Sequence, residues 1–240
     1  MILYDVIIIG AGPAGLFTAL QAGQKSAKIL VLEKQPHPGL KLLLTGSGQC
    51  NFTNIRPIRE FPHAYGEHGS FLKPALMHFS NQDAIAFFKQ HGIEPMVIDE
   101  NGKVFPKSLQ ARDILNALLS ACKERKVAIR FQQKVTRIGK HSSGLFQVQT
   151  ATETYETKNL VIATGGKSYP GTGSSGDGYG LAQALGHSLV APRPGLTPFY
   201  IKNFPLADLT GTAFKDLAVA LWRENKKVKT LSGDLLITAK

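Results

Sequence analysis

Two unbroken apolar runs, Val6–Ile9 and Ile29–Leu32, stand near the N-terminus, each too short for a helix and bounded by turn or charged residues. Such runs predict strands buried on both faces of a sheet. A helix from about Pro13 to Ala22 lies between them and completes a βαβ unit. Helical spacing returns in a segment that Asn81 caps, that carries Ile85 and Phe88, and that Gly92 stops. It returns again from about Ala111 to Lys126, preceded by Ser108, where Ile114, Leu115, Leu118, Leu119 and Cys122 share a face. Between these helices VIDENGKVFP reads as a short hairpin turning at Asn101-Gly102. The runs VAIRFQQKVTRI, LFQVQTAT and TYETKNLVIATGG then predict an antiparallel β-meander, which crosses from the βαβ unit back to the parallel sheet. From Pro192 the texture changes to prolines and strand-like FYIKN, LAVALW and KVKTLSGDLLIT, the opening of a second, β-rich domain. The fold class expected is α/β, a doubly wound parallel sheet with a meander crossover.

The turn after the first strand reads GAGPAG, Gly10–Gly15. Gly10 permits the tight turn, Gly12 lets a pyrophosphate approach the backbone, and Gly15 lets helix and sheet pack closely. The helix that follows points its free amides and the positive end of its dipole at phosphates. Glu33, at the end of the second strand and about twenty residues on, suits the hydroxyls of a ribose. The pattern predicts a dinucleotide site, against the alternative of an ordinary strand-to-helix turn.

Composition narrows the class. With 240 residues and 43% hydrophobic content the chain can bury a substantial core. No apolar run approaches a membrane span, and Met1–Asp5 lead into a core strand without a cationic leader, so the expectation is a cytoplasmic protein with no membrane partner. Cys50 and Cys122 lie far apart without a C-x-x-C, so neither a disulfide framework nor a metal site is expected. Enzymes that reduce disulfides through a pair of nearby thiols are excluded on the same ground. Cys122 reads as core packing. Of the net charge of +11, residues 101–150 hold ten basic and two acidic side chains. Lys123, Arg125, Lys126, Arg130, Lys134, Arg137 and Lys140 make residues 123–140 either a solvated face or a polyanion contact, the solvated face being the default.

Two segments carry further chemistry. GLKLLLTGSGQCNFTN, Gly39–Asn54, gathers Gly46 and Gly48 with the hydroxyls of Thr45, Ser47 and Thr53 and the amides of Asn51 and Asn54. Bare backbone donors beside groups that both donate and accept suit a flavin ring edge and ribityl chain, while a surface loop of Asx turns is the alternative. The apolar strand Leu160–Ala163 ends in Thr164-Gly165-Gly166, small residues at the sheet edge where open α/β sheets bind ligands. SYPGTGSSGDGYG then leads into a helix capped by Asp177 and ended by Gly186.

GAGPAG at 10–15, KLLLTGSGQCNFTN at 41–54, GKVFPKSLQA at 102–111 and ATGGKSYPGTGSSGDGYG at 163–180 together resemble the BaiN/RdsA family of FAD-dependent oxidoreductases, flavoproteins related to aminoacetone oxidase. The resemblance implies a Rossmann-like FAD-binding domain over residues 1–193 and the beginning of a barrel-like substrate domain over 194–240. It places Gly46, Gly48, Cys50 and Asn51 beside the flavin, Thr164 and Gly165 near the nucleotide, and the Val135 backbone against the adenine. Ala14, Lys34, Lys41, Ala163 and Gly166 complete the candidate cofactor-binding set with Gly10, Gly12, Gly15 and Glu33. Two features depart from the family: Gln49 stands where the family has arginine, and the chain ends at LLITAK, before the family's C-terminal return to the FAD domain.

The activity implied is transfer of hydride from FAD, reduced by NAD(P)H, to an unsaturated or carbonyl substrate. That substrate is either a small molecule such as a steroid-like enone or amino ketone, or uridine in ribosomal RNA, reduced to dihydrouridine. The basic segment favours RNA modestly. Tyr169 and Cys50 are the candidate catalytic proton donors; the alternatives are Tyr169 packing on Pro170 and Cys50 as a small core residue. A non-catalytic remnant of such a flavoprotein is the competing expectation. A plain NAD-dependent dehydrogenase ranks last, because GSGQCN and ATGG have no role in one.

Overall fold

The computed structural model describes residues 2–22, 26–98, 101–195 and 198–238. The chain divides into two units, Met1–Ala191 and Pro192–Lys240. In the first, β1 (Leu3–Ile9), α1 (Pro13–Gln21) and β2 (Ile29–Leu32) form the expected βαβ unit, followed by the short helix α2 (Leu40–Leu43). Then come β3 (Thr53–Asn54), helices α3 (Phe61–Ala64), α4 (Gly69–His78) and α5 (Asn81–Gln90), and strands β4 (Pro95–Ile98) and β5 (Lys103–Pro106). The unit closes with α6 (Ala111–Glu124), β6 (Ala128–Arg130), β7 (Val135–Lys140), β8 (Phe146–Thr150), β9 (Thr154–Ile162) and α7 (Asp177–Ala184).

The principal sheet has six strands in the order β6-β2-β1-β9-β8-β7. Strands β6, β2, β1 and β9 are mutually parallel, and β8 and β7 continue the sheet antiparallel. The α/β class with a mainly parallel, Rossmann-like sheet is as the apolar runs indicated. Ile7, Ile8, Leu30, Val31 and Leu32 are fully buried because both faces of the parallel strands are covered. On one face Val6, Ile8 and Val31 meet Leu16 and Ala19 of α1 and Ile114, Leu115, Leu118 and Cys122 of α6. On the other, Ile7, Ile9, Leu30 and Leu32 meet Leu181 of α7 and the inward residues Val135, Ile138, Val148 and Tyr155 of the meander.

Several local expectations are corrected. VAIRFQQKVTRI is not one strand: Ala128–Arg130 pairs parallel to β2, Gln132 turns the chain with φ 57°, and only β7 enters the meander. Ser80, not Asn81, caps α5: its extended backbone and hydroxyl close a capping box with Asp83. Asn81 is instead the first helical residue, buried, with its amide donating to the carbonyls of Asn54 and Arg56. Left-handed Gly176 occupies the cap position of α7, which frees the Asp177 carboxylate for other partners.

The hairpin β4–β5 forms with Ile98 opposite Lys103, and β3 adds to its edge. Asn101 and Gly102 lie in its connection, and residues 99 and 100 lie outside the described residues.

In the second unit β10 (Ala213–Arg223) and β11 (Lys226–Leu236) form one antiparallel ribbon. FYIKN is exposed and forms no strand, contrary to its strand-like composition.

Candidate functional site

A cavity of about 540 Å³ opens at the carboxyl ends of β1, β2 and β9, where Gly10, Glu33 and Ala163 leave the sheet. Crossover topology makes this edge a crevice in an open parallel sheet. Of the residues expected from sequence, Gly10, Gly12, Ala14, Glu33, Lys34, Lys41, Val135, Ala163, Thr164 and Gly165 line it. Gly15 lies behind the wall: a Cβ there would stand 1.9 Å from the Gly10 carbonyl oxygen, so its role is close packing of α1. Gly10 adopts φ 107°, and a Cβ on it would meet the Ala163 carbonyl oxygen at 2.5 Å. Gly12 differs from both. A Cβ there would meet nothing within 4 Å, so protein packing does not require glycine at that position.

The N-terminus of α1 has no side-chain cap and no acidic residue in its first turn. Its free amides and dipole are therefore available to an anion in the cavity. Opposite, Glu33 is held by the main chain: Ala11 N–H donates to Oε2 at 2.7 Å and Gln35 N–H to Oε1 at 2.8 Å. Each carboxylate oxygen retains acceptor capacity for a sugar hydroxyl. Open space beside Gly12, uncapped amides and an oriented carboxylate make a donor set that suits the pyrophosphate and ribose of a dinucleotide such as FAD.

Both candidate lysines are already engaged. Lys34 Nζ donates to Ser175 Oγ and Asp177 Oδ2, each at 2.6 Å, and Ser175 Oγ donates to Asp177 Oδ1 at 2.9 Å. The Lys34 ammonium, with help from Ser175 and the charge of Lys134, holds the Asp177 carboxyl below its ordinary 3.8. Lys41 Nζ donates to Ser168 Oγ at 2.8 Å and to the Ser168 carbonyl at 3.2 Å. These two contacts fasten the glycine-rich segment after β9 to the first βαβ region.

Gly46, Gly48, Cys50, Asn51, Gly166 and Tyr169 do not line the cavity, although Leu42 and Thr45, which lead into the 45–51 loop, do. That loop is tightly wound, with Gly46, Ser47, Gly48 and Cys50 all at positive φ and Cys50 N–H donating to the Thr45 carbonyl at 3.0 Å. Asn51 spends its side-chain nitrogen on the carbonyls of Thr53 and Val104. Cys50 is 2% exposed, and burial pushes its thiol pKa up. Tyr169 is 69% exposed, with left-handed backbone at the start of a turn. The structure thus gathers ten of the expected cofactor-binding residues in one cavity and leaves both candidate proton donors outside its wall.

Sequence reading missed His37, Lys134 and Ser174, which also line the cavity. The quoted motif GTGSSGDG contains Ser174, but nothing in the string distinguishes it from its neighbour Ser175.

The basic segment is partly spent internally. Arg125 caps α1 through the Leu20 carbonyl at 2.7 Å, and Arg130 pairs with Glu153 at 2.6 Å and the Tyr155 hydroxyl at 2.9 Å. Among the described residues no group of three or more His, Cys, Asp or Glu is placed to hold a metal, and no helix is long and apolar enough to cross a membrane.

Residues 4–233 match a protein family described as HI0933-like protein Rossmann domain. The chain is 35% identical over 234 residues to the ribosomal RNA dihydrouridine synthase of Escherichia coli K12, covering 92% of this chain and 56% of the relative. It is 30% identical over 234 residues to the 3-dehydro-bile acid delta(4,6)-reductase of Clostridium scindens, covering 97% of this chain and 56% of the relative. The chain therefore spans little more than half the length of these curated relatives. Among solved structures, the open conformation of a flavocytochrome c3 fumarate reductase shares the fold, with a TM-score of 0.58 at 14% identity over 95% of this chain and 44% of that one. The family resemblance carried by the four sequence motifs is borne out by these matches.

Proposed function

The chain belongs to the HI0933-like Rossmann-domain family, and from that premise we propose that it serves an FAD-dependent oxidoreductase that adds hydride to a carbon–carbon double bond activated by a neighbouring carbonyl. The observation that carries the reading is one cavity lined by both the open position at Gly12 and the amide-held carboxylate of Glu33. FAD, when bound, supplies the hydride that NAD(P)H has delivered to it. The chain's own groups bind and orient: the first turn of α1 takes the pyrophosphate, Glu33 the ribose, and Val135 the adenine edge. The 45–51 loop borders the flavin half, and Gly165 stands near the nucleotide.

The substrate class follows from the names of two relatives. A dihydrouridine is a uridine whose ring double bond beside a carbonyl has been reduced, and a 3-dehydro delta(4,6) substrate carries double bonds conjugated to a carbonyl. Hydride addition to such a bond leaves a carbanion beside the carbonyl, which takes a proton from an acid. Cys50, whose thiol pKa burial pushes up, and Tyr169 are the proposed donors; both stand outside the nucleotide cavity, which requires the substrate to approach from outside that wall. Uridine in ribosomal RNA is favoured over a free enone by Lys123, Lys126, Arg137 and Lys140 of the basic segment. None of these four makes an ion pair among the described residues, which leaves their charge for phosphates.

The visible absorption spectrum of the purified protein, repeated on the filtrate after denaturation, tests the reading. A flavin spectrum that appears in the filtrate as FAD is expected. Colourless protein that takes up no added FAD would sink the proposal.

A further inference from the structure

Ser174 stands out among the cavity residues that sequence did not single out. It is 6% exposed, yet it borders the cavity. No side-chain hydrogen bond joins its hydroxyl to another described residue, and the oxygen is not sealed in protein. A hydroxyl at a cavity wall with no protein partner keeps its donor and both acceptor sites for whatever enters the cavity.

The surroundings hold Ser174 in place. Gly165, at φ 76°, has Ser174 Oγ 3.0 Å from where its own Cβ would be, so glycine at 165 makes room for this side chain. The next residue, Ser175, sits in the triangle with Lys34 and Asp177. Because Lys34 directly follows Glu33, that triangle ties the Ser174 turn to the ribose end of the cavity. Lys34 thereby acts as a strut that uses its charge on Asp177, and the cavity's polar contact passes to the neighbouring hydroxyl.

The geometry points to Ser174 as a further ligand-binding residue whose hydroxyl hydrogen-bonds the ADP half of the bound dinucleotide, with Lys34 positioning it through Ser175 and Asp177. This rests on the FAD reading above and assigns one more contact within it.

The test is titration of the flavin-free protein with FAD and, separately, with ADP, for the wild type, Ser174→Ala, Ser174→Cys and Lys34→Met. Ser174→Ala is expected to raise the Kd for both ligands about tenfold, as loss of one hydrogen bond to a charged or strongly polar partner does. The ligand-free melting temperature should stay unchanged, since the hydroxyl has no protein partner to lose. Ser174→Cys, nearly the same size but a weak donor, should follow Ser174→Ala. In the Lys34→Met background the further change to Ala should cost less than tenfold, because the hydroxyl is no longer held in position.

Unchanged Kd for both ligands in Ser174→Ala overturns the assignment, and so does weakened FAD with unchanged ADP, which would place the contact on the flavin half. A lowered melting temperature with unchanged Kd would make Ser174 a structural residue. Wild-type protein that binds ADP but not FAD would sink the FAD reading while leaving the Ser174 contact measurable.

Discussion

The main-chain N–H of Ala11 donates to Glu33 Oε2 at 2.7 Å, joining the turn after β1 to the end of β2. The same carboxylate accepts from Gln35 N–H at 2.8 Å, so one side chain satisfies two amides and still faces the cavity. Glu33→Gln replaces one of those acceptors with an NH₂ group that confronts an N–H. A hydrogen bond to a charged group is worth about 1.5–3 kcal/mol, and the substitution should remove a comparable amount of stability. Melting of the ligand-free protein should fall and the Kd for FAD should rise at least tenfold. A variant with wild-type melting and wild-type affinity would show that neither amide contact matters.

Gly12 and Gly15 make a paired prediction, because their surroundings are opposite. Gly15→Ala puts a methyl group 1.9 Å from the Gly10 carbonyl oxygen and forces α1 off the sheet. It should cost roughly 3 kcal/mol, the upper end for overpacking. Gly12→Ala meets no protein atom within 4 Å, so the ligand-free fold should melt as the wild type does while FAD binding weakens by an order of magnitude or more. Thermal melts and FAD titrations of both variants separate the packing glycine from the cofactor glycine. Equal behaviour of the two would contradict this division of roles.

Much of this frame was legible because it rests on local sterics. Apolar runs, glycines and a terminal acid sit within a few dozen residues of one another, and their spacing alone encodes β1, α1, β2 and Glu33. The same holds for Cys122, whose helical neighbours placed it in the core where it lies. The Lys34–Asp177 pair was not legible, since its members are 143 residues apart and only the crossover of β9 beside β1 joins them. Asn81 is itself a good cap residue by type, and only backbone geometry shows that its neighbour Ser80 takes the position. Gln132 ends one strand and starts a new direction in a left-handed conformation that no glycine or proline announces. Ser47 and Cys50 likewise adopt positive φ without being glycine, so the winding of the 45–51 loop was hidden although its residue types were read.

The Lys34–Asp177 contact gives stability a dependence on acid. Lys34 first, and Ser175 after it, depress the Asp177 carboxyl in the folded state. A depressed carboxyl contributes stability that is complete above its unfolded value of about 3.8 and is lost as pH falls through the lower folded value. Lys34→Met should therefore differ most from the wild type near neutral pH and converge with it below pH 3.8. Denaturant unfolding at neutral and acid pH checks this, and a difference that grows as pH falls would reverse the sign and refute the assignment.

Cys122 makes the opposite linkage at alkaline pH. Buried between α1 and α6 with its Sγ 3.7 Å from the Leu16 carbonyl, its thiol is pushed up by burial from 9.0 to about 11. The folded state thus holds a proton that the unfolded chain releases first. The resulting stability is fully present below pH 9.0 and is lost as pH rises toward about 11, at close to 1.4 kcal/mol per pH unit within that window. Cys122→Ala removes the titrating group, leaving a pH-independent packing loss from the vacated space. Measured by denaturant unfolding, wild type minus Cys122→Ala should hold steady up to about pH 9 and shrink above it. Iodoacetamide supplies an independent readout: folded wild-type protein at pH 8 should resist alkylation at Cys122, and denatured protein should react. Rapid alkylation of the folded chain at this residue would mean that the α1–α6 interface opens, and the alkaline dependence would then disappear with the burial that causes it.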